Sequence, residues 1–442
     1  MSWFSGLRDF LLVWTGQMIS LVGSRLSTFA LGIWVLRSTG STTRFALIFV
    51  AMAVPALVVS PLAGALVDRW DRRRTMMLCD ATGAAVTLTM AGMLAAGRLE
   101  TWHVYVAVAL AALANAFHQP AYAASIPLLV GRDRLARVNG MVQTSFAMAQ
   151  VLGPLLAGVL VSTISMPGVL AIDGLTFLCG VAALALARVP RPAAVPEKER
   201  GLWGEAAFGW RYVRERPGLL GLLAIFGASN FLFGIASILI TPLVLSFTNE
   251  AALGAQMAIG GLGLVFGGLA MSIWGGPRRR IHGVLGFSFA AGLFLALHGL
   301  RPSFLLLAVA GAAFFVTLPV INASNDSLWQ SKVPAGLQGR CFAIQRVLSE
   351  AAMPLGYGLA GPLADGIFEP LLQPGGALAG TLGRVVGVGP GRGIGLLFMV
   401  LGALMSLVAA LAYGVRAVRD VEDELPDAPL EARVSGALEG VA

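Results

Sequence analysis

Four ionisable side chains stand inside stretches that are otherwise apolar: Arg25, Asp173, Arg346 and Glu350. A charge in such a setting is costly unless it is paired, hydrogen-bonded or wet, so each is a candidate for function. The chemistry open to them is the movement of protons or the holding of a charged group. A carboxylate that takes up a proton when desolvated and loses it on meeting water or a cation can couple proton flow to a change of shape. Arg346 and Glu350 are four residues apart on one helix face, where they can neutralise each other as readily as they can serve coupling. Asp173 follows Ala171-Ile172 near a helix edge, a position compatible with a solvated cap as well as with a buried functional acid. Covalent catalysis has less to draw on. His103, His118, His282 and His298 are scattered, and Cys79, Cys179 and Cys341 lack metal-ligand or disulfide spacing. No GxxxxGK[ST] pattern occurs, and neither Lys198 nor Lys332 could complete one. No metal site, no cofactor and no nucleophile–base–acid set is expected.

Neutral polar residues add a second set. Gln17, Ser20 and Ser24, followed by Ser27 and Thr28, recur at helical spacing in the first apolar stretch. That polar face serves either interhelical hydrogen bonds or a substrate surface. Asn230 brings a polar group to a later stretch. Gly153, Pro154 and Gly158, in QVLGPLLAG, specify a kinked helix with a smooth, closely packed face. Pro354 and Gly358 repeat that pattern in the second half.

The elements that must position these residues follow from composition. The chain has 442 residues, is 57% hydrophobic and only 12% charged, with a mean hydropathy of +0.79. A soluble domain carries about 25% charged residues. Runs of about 20 apolar residues, enough to cross a bilayer as a helix, recur along nearly the whole length. Twelve spans are expected, at 10–36, 45–66, 76–97, 103–127, 139–163, 168–188, 218–246, 253–275, 283–300, 303–327, 339–364 and 393–415. Most arginines fall in loops on one side of this ladder, whereas Arg37, Arg44, Arg98, Arg301, Arg384 and Arg392 fall on the other. The positive-inside rule then puts both termini in the cytoplasm. This asymmetry also accounts for the net charge of +8, and no nucleic-acid partner is expected. Residues 1–188 make the first six-span half and 218–416 the second. Between them, 189–217 is a linker with an amphipathic stripe of Trp203, Ala206, Trp210 and Val213 that suits a membrane surface. The Gly-rich segment from Gly375 to Gly391 is either a cap over the outer mouth or a passive loop, and the acidic tail at 417–442 is expected to be disordered.

Between the second and third spans lies GALVDRWDRRR, Gly64 to Arg74. A small residue, an acid and a basic run in this order resemble the signature loop of the major facilitator superfamily. Gly268, Trp274 and Arg278-Arg279-Arg280 echo it in the second half, with Ser272 in the place of Asp68. An internal repeat of six spans suits the same superfamily. QVLGPLLAG resembles the fifth-helix motif of its antiporter branches, although Ala149 and Ala157 replace glycines of the fuller pattern. LAGPLADGIFEPLL, with the segment from Gln330 to Arg340, resembles the macrolide-efflux-like branch. The resemblance implies an all-α membrane protein of twelve transmembrane helices in two six-helix bundles, monomeric and multi-pass in a bacterial cytoplasmic membrane. It implies a secondary active transporter rather than an enzyme. Such a protein exports hydrophobic or amphipathic small molecules, such as drugs, macrolides or secondary metabolites, by proton antiport and alternating access. An importer or lipid transporter on the same fold is the alternative, since fold does not set substrate or direction; a polytopic membrane enzyme is the remote one. The resemblance further implies a conformational latch in which Gly64, Asp68, Arg69, Arg72, Arg73 and Arg74 meet Gly339 and Arg340 at the start of the eleventh helix. Coupling would fall to Asp173 or Glu350, tuned by Arg25 or Arg346. The first span has no acid, unlike some proton-coupled drug exporters.

Overall fold

A computed structural model describes residues 7–130, 135–189, 210–333 and 341–425 except 343, 346 and 350; the side chains at 61, 64, 65, 68, 69, 135–137 and 139 lie outside that description. The described residues are helical, without strands. The first half holds α1 (Arg8–Thr39), α2 (Thr42–Arg69), α3 (Arg72–Ala95), α4 (Thr101–Leu129), α5 (Leu135–Thr163) and α6 (Met166–Leu186). The second holds α7 (Pro217–Leu245), α8 (Glu250–Trp274), α9 (Arg280–Leu297), α10 (Phe304–Lys332), α11 (Ala352–Leu363) and α12 (Arg392–Gly414). Among the described residues, 11 of these helices are long and apolar enough to cross a membrane. Large apolar side chains such as Leu62, Leu78, Ile273, Leu305 and Leu411 are exposed on them, which water would penalise and lipid does not.

Local chemistry sets the helix ends. α1 stops at Gly40, whose φ of 63° suits glycine, and Ser41 then starts α2 by accepting a hydrogen bond from the Arg44 amide at 3.2 Å. Asp71 starts α3 the same way, accepting from the Arg74 amide at 3.0 Å. The basic run therefore opens a helix instead of forming a loose loop.

Packing repeats pair for pair between the halves. α1 packs on α5 and α6, α2 on α4, and α3 on α4 and α6. Correspondingly, α7 packs on α11 and α12, α8 on α10, and α9 on α10 and α12. The two bundles meet through α5 with α8 and through α2 with α11, which are equivalent pairs in the repeat. Small residues let these backbones touch. A Cβ added at Gly158 of α5 would lie 2.6 Å from the Glu250 carbonyl oxygen and 3.2 Å from the Gly254 Cα of α8, and one added at Gly361 would overlap the Thr43 backbone of α2. Both contacts lie at the end that carries Arg37 and Arg44. Toward the other end, which carries Arg72 to Arg74 and Arg278 to Arg280 and is called here the basic end, Gly140 of α5 and Gly268 of α8 meet nothing within 4 Å. Among the described residues, the bundles are closed at one end and splayed at the basic end.

Three expectations change. Gly358 faces open space; the glycines of α11 that pack are Gly361, on α2, and Gly356, against the backbone of Phe231 and Gly234 in α7. Two residues are about 200° of helical rotation, so the repeat of Pro354 and Gly358 in sequence does not carry the packing face with it. The acidic tail is ordered as far as Leu425. Val418 and Val421 are buried in the space left by Gly221 and Gly218 of α7, and Glu422 accepts a hydrogen bond from the Ile281 amide at 3.0 Å. Lys332 Nζ donates to the Glu422 carbonyl at 2.7 Å. Two apolar residues spaced for one helical face were outweighed by their acidic neighbours in a reading by composition. Third, the eleventh helix runs past 364, through a π-turn at Ala364–Phe368 and a last turn at Glu369–Leu372. The Gly-rich segment folds against the start of α12, where Glu369 accepts from the Ile394 amide at 3.0 Å and Arg392 donates to the Val386 carbonyl at 3.0 Å. Of the linker's apolar stripe, Trp203 and Ala206 lie outside the described residues, Trp210 is exposed and Val213 is buried.

Candidate functional site

Two lobes of a cavity adjoin at Ala53, Ala56 and Ser60 of α2. One, of about 830 Å³, lies between the bundles and is lined by Asn230, Asn322, Asn325, Asp326, Gln345, Ser349 and Tyr357. The other, of about 760 Å³, lies within the first bundle. Its wall is apolar at Trp14, Met18, Phe146 and Phe177 and polar at Gln17, Ser20, Ser24, Arg25, Asp80 and His118. Both volumes fall in the range of small-molecule pockets, about 300–1,000 Å³.

Of the polar face foreseen on the first helix, Gln17, Ser20, Ser24 and Thr28 reach the wall of the inner lobe, as Arg25 does, whereas Ser27 donates to Asp173 instead. Asn230 lies in the other lobe and donates to the Ser349 carbonyl at 3.0 Å, tying α7 to the segment that leads into α11.

Gln17 does more than line the wall. Its Nε2 donates to Asp80 Oδ2 at 2.7 Å, and His118 Nε2 stands 3.5 Å from Asp80 Oδ1. All three are buried, with Asp80 only 3% exposed. Small residues make the room: a Cβ at Gly180 of α6 would lie 2.9 Å from Asp80 Oδ2. A carboxylate, an imidazole and an amide from α1, α3 and α4 are thus brought together beside the cavity, an arrangement able to hold and hand over a proton. Asp80 is not among the four ionisable side chains singled out from the sequence. The available signal was its distance from Arg72, eight residues, which puts it two turns inside α3.

Asp173 has a different setting. It is 1% exposed, away from both lobes, and accepts hydrogen bonds from Ser27, from Thr87 at 3.3 Å and from Thr176 at 3.3 Å. The buried reading replaces the solvated cap, and the three hydroxyls bind α1, α3 and α6 together. Asp173→Ala leaves the Ser27 hydroxyl without its acceptor, at about 1–3 kcal/mol for a buried group left unmade, while Thr87 and Thr176 keep the backbone carbonyls of Gly83 and residue 173 at 2.8 Å. The expected result is a lower unfolding temperature in thermal melts of purified protein, while Asp173→Asn, which keeps an acceptor, loses much less.

Within the basic run, Arg72 Nη1 donates to the Ala124 carbonyl at 2.7 Å, and Arg73 donates to the carbonyls of Leu184 at 2.7 Å and Ala185 at 2.6 Å. These arginines satisfy the ends of α4 and α6 and hold the first bundle together; Arg280 does the same in the second, donating to the Ser327 carbonyl at 2.9 Å. Arg74 stands 4.0 Å from Asp71 and is largely exposed. Gly64, Asp68 and Arg69 lie on the last turns of α2 with side chains outside the described residues, and Gly339, Arg340, Arg346 and Glu350 also lie outside them. Gly153 of α5 abuts the stem of Arg25, and Pro154 packs by its carbonyl on Gly254 of α8.

The closed end holds a contact that sequence reading missed. Asp365, in the π-turn after α11, accepts from the Thr43 amide at 2.8 Å, the Thr43 hydroxyl at 2.9 Å, the Ser41 hydroxyl at 3.1 Å and the Thr42 amide at 3.3 Å. A carboxylate of the second bundle thereby occupies the positive N-terminus of α2 in the first. Arg37 of α1 pairs with Glu250 of α8 at the same end.

A family model described as Major Facilitator Superfamily matches residues 13–357. Macrolide efflux protein A of Streptococcus pyogenes is 26% identical over 367 residues, covering 81% of this chain and 90% of that protein. The multidrug efflux pump Tap of Mycobacterium tuberculosis is 29% identical over 379 residues, covering 80% and 86%. Among solved structures, a bacterial homologue of the human lysosomal transporter Spinster matches with a TM-score of 0.68 at 14% identity over 95% of this chain and 98% of that one. The nucleoside transporter NupG matches with a TM-score of 0.64 at 15% identity over 91% and 97%.

Proposed function

The chain belongs to the Major Facilitator Superfamily, and from that premise we propose that it is a secondary active exporter of hydrophobic or amphipathic small molecules, driven by proton entry. The relatives named as macrolide and multidrug efflux proteins support the direction and the substrate class. The observation that carries coupling is the buried Asp80–His118–Gln17 group on the cavity wall. With the basic end in the cytoplasm, the splayed bundles form an inward-facing state. Substrate enters from the cytoplasm or the inner leaflet, and Asp80 stands where it can release a proton to that side. When the bundles rock the other way, Asp80 reloads from outside as substrate leaves. Asp80 thus takes the coupling role in preference to Asp173, whose hydroxyl cage already satisfies it. Glu350 and Arg346 remain proposed as a second charged pair. Asp68, with the basic run around it and with Gly339 and Arg340, is proposed to latch the basic end when that end closes. The transporter works as a monomer in the cytoplasmic membrane.

Everted membrane vesicles test this reading. Uptake of a fluorescent amphipathic dye is expected to rise with an acid lumen and to collapse with a protonophore. Uptake indifferent to the gradient, or driven by the opposite gradient, overturns it.

A further inference from the structure

We propose that the transported compound carries an anionic group, and that the Arg25 guanidinium receives it. The proposal rests on the reading of the cavity as the transport site, but the charge preference follows from the residues alone.

Arg25 stands near the middle of α1, where a cation is costly unless something compensates it. Its side chain is exposed to the inner lobe. No described residue hydrogen-bonds to it or pairs with it, although the other buried or cavity-side charges of the first bundle have partners. Asp80 is engaged by Gln17 and His118, and Asp173 by its three hydroxyls. The remaining titratable groups on the lobe wall are Cys79 and Tyr122, neither of which brings a negative charge at neutral pH. The position is also built. A Cβ at Gly153 of α5 would lie 2.5 Å from Arg25 Cβ and 3.1 Å from its Cγ, so the glycine of the kinked fifth helix is the space through which the arginine stem passes. The fold thus gives up a side chain on α5 to hold an uncompensated guanidinium over the cavity.

A guanidinium matches planar or tetrahedral oxyanions by paired N–H donors. Trp14, Met18, Phe146 and Phe177 on the wall of the same lobe suit an apolar body. The chemistry assigned is an amphipathic organic anion: an aromatic or aliphatic skeleton ending in a carboxylate, sulfonate or phosphate.

Three probes on one scaffold test it: pyrenebutyric acid, its methyl ester and the corresponding butylamine. Each is titrated onto the purified protein in lipid nanodiscs, with empty discs subtracted. The wild type is expected to bind the acid about tenfold or more tighter than the ester, as a charge-assisted contact warrants, and the amine no better than the ester. Arg25→Gln is expected to erase the preference for the acid while ester binding stays, and Arg25→Lys to retain part of it. Ester binding reports an intact cavity in each variant. A wild type that binds acid and ester alike, or an acid preference that survives Arg25→Gln, overturns the proposal. Loss of proton-driven uptake in vesicles with the acid preference intact would refute export and leave this assignment standing.

Discussion

Asp80→Asn is expected to abolish the response of export to a pH gradient while leaving exchange of substrate for substrate. Asparagine keeps the volume of the side chain and can still accept the Gln17 amide hydrogen, now held at 2.7 Å, so the junction of α1, α3 and α4 survives. What it loses is the ability to take up and release a proton, which antiport requires in every cycle. Exchange needs only the swing of the loaded carrier and goes on without a titrating group. His118→Gln removes the imidazole 3.5 Å from the carboxylate and is expected to weaken gradient-driven export without abolishing it, because Asp80 remains. Uptake in everted vesicles with an imposed gradient, set beside counterflow at equal pH inside and out, separates the two activities. Gradient stimulation of Asp80→Asn equal to that of the wild type would remove this group from coupling.

Asp365→Ala is expected to shift the protein away from the splayed conformation, and Asp68→Asn to shift it toward that conformation. Asp365 holds the N-terminus of α2 from the opposite bundle, a contact that exists only while that end is closed. A partly buried carboxylate at a helix N-terminus is worth up to about 2 kcal/mol, and a loss of about 1–2 kcal/mol changes a two-state ratio about 5- to 30-fold. Asp365→Asn keeps one acceptor and is expected to fall between wild type and alanine. Spin labels at Arg44 and Gln373, both exposed and on opposite bundles near the contact, read the change as a longer distance between them. For Asp68→Asn the same labels are expected to show the shorter distance more populated. Distances unchanged in Asp365→Ala, or moved the same way by both variants, would show that the two acids are not opposed latches.

Much of this was legible along the chain. Low charge and recurring apolar runs establish a helical membrane protein, because a bilayer admits only backbone that satisfies itself. The asymmetry of the arginines and the run from Gly64 to Arg74 pointed to the superfamily that the family model matches. The spacing of Gln17, Ser20 and Ser24 marked a helix face that does reach a cavity, since helical period is a local property. Which buried acid stands on a cavity wall was decided only by tertiary packing. Asp80 and Asp173 look alike in sequence, yet one meets an imidazole beside a cavity and the other is enclosed by hydroxyls from three helices. The same holds for Asp365, which acts on a helix start more than 300 residues earlier in the chain, and for Arg25, whose lack of a partner among the described residues is a statement about its surroundings. Period, hydropathy and charge bias are written along the chain and determine the elements. Pairing and vacancy depend on which distant groups fold against one another, and no local pattern encodes that.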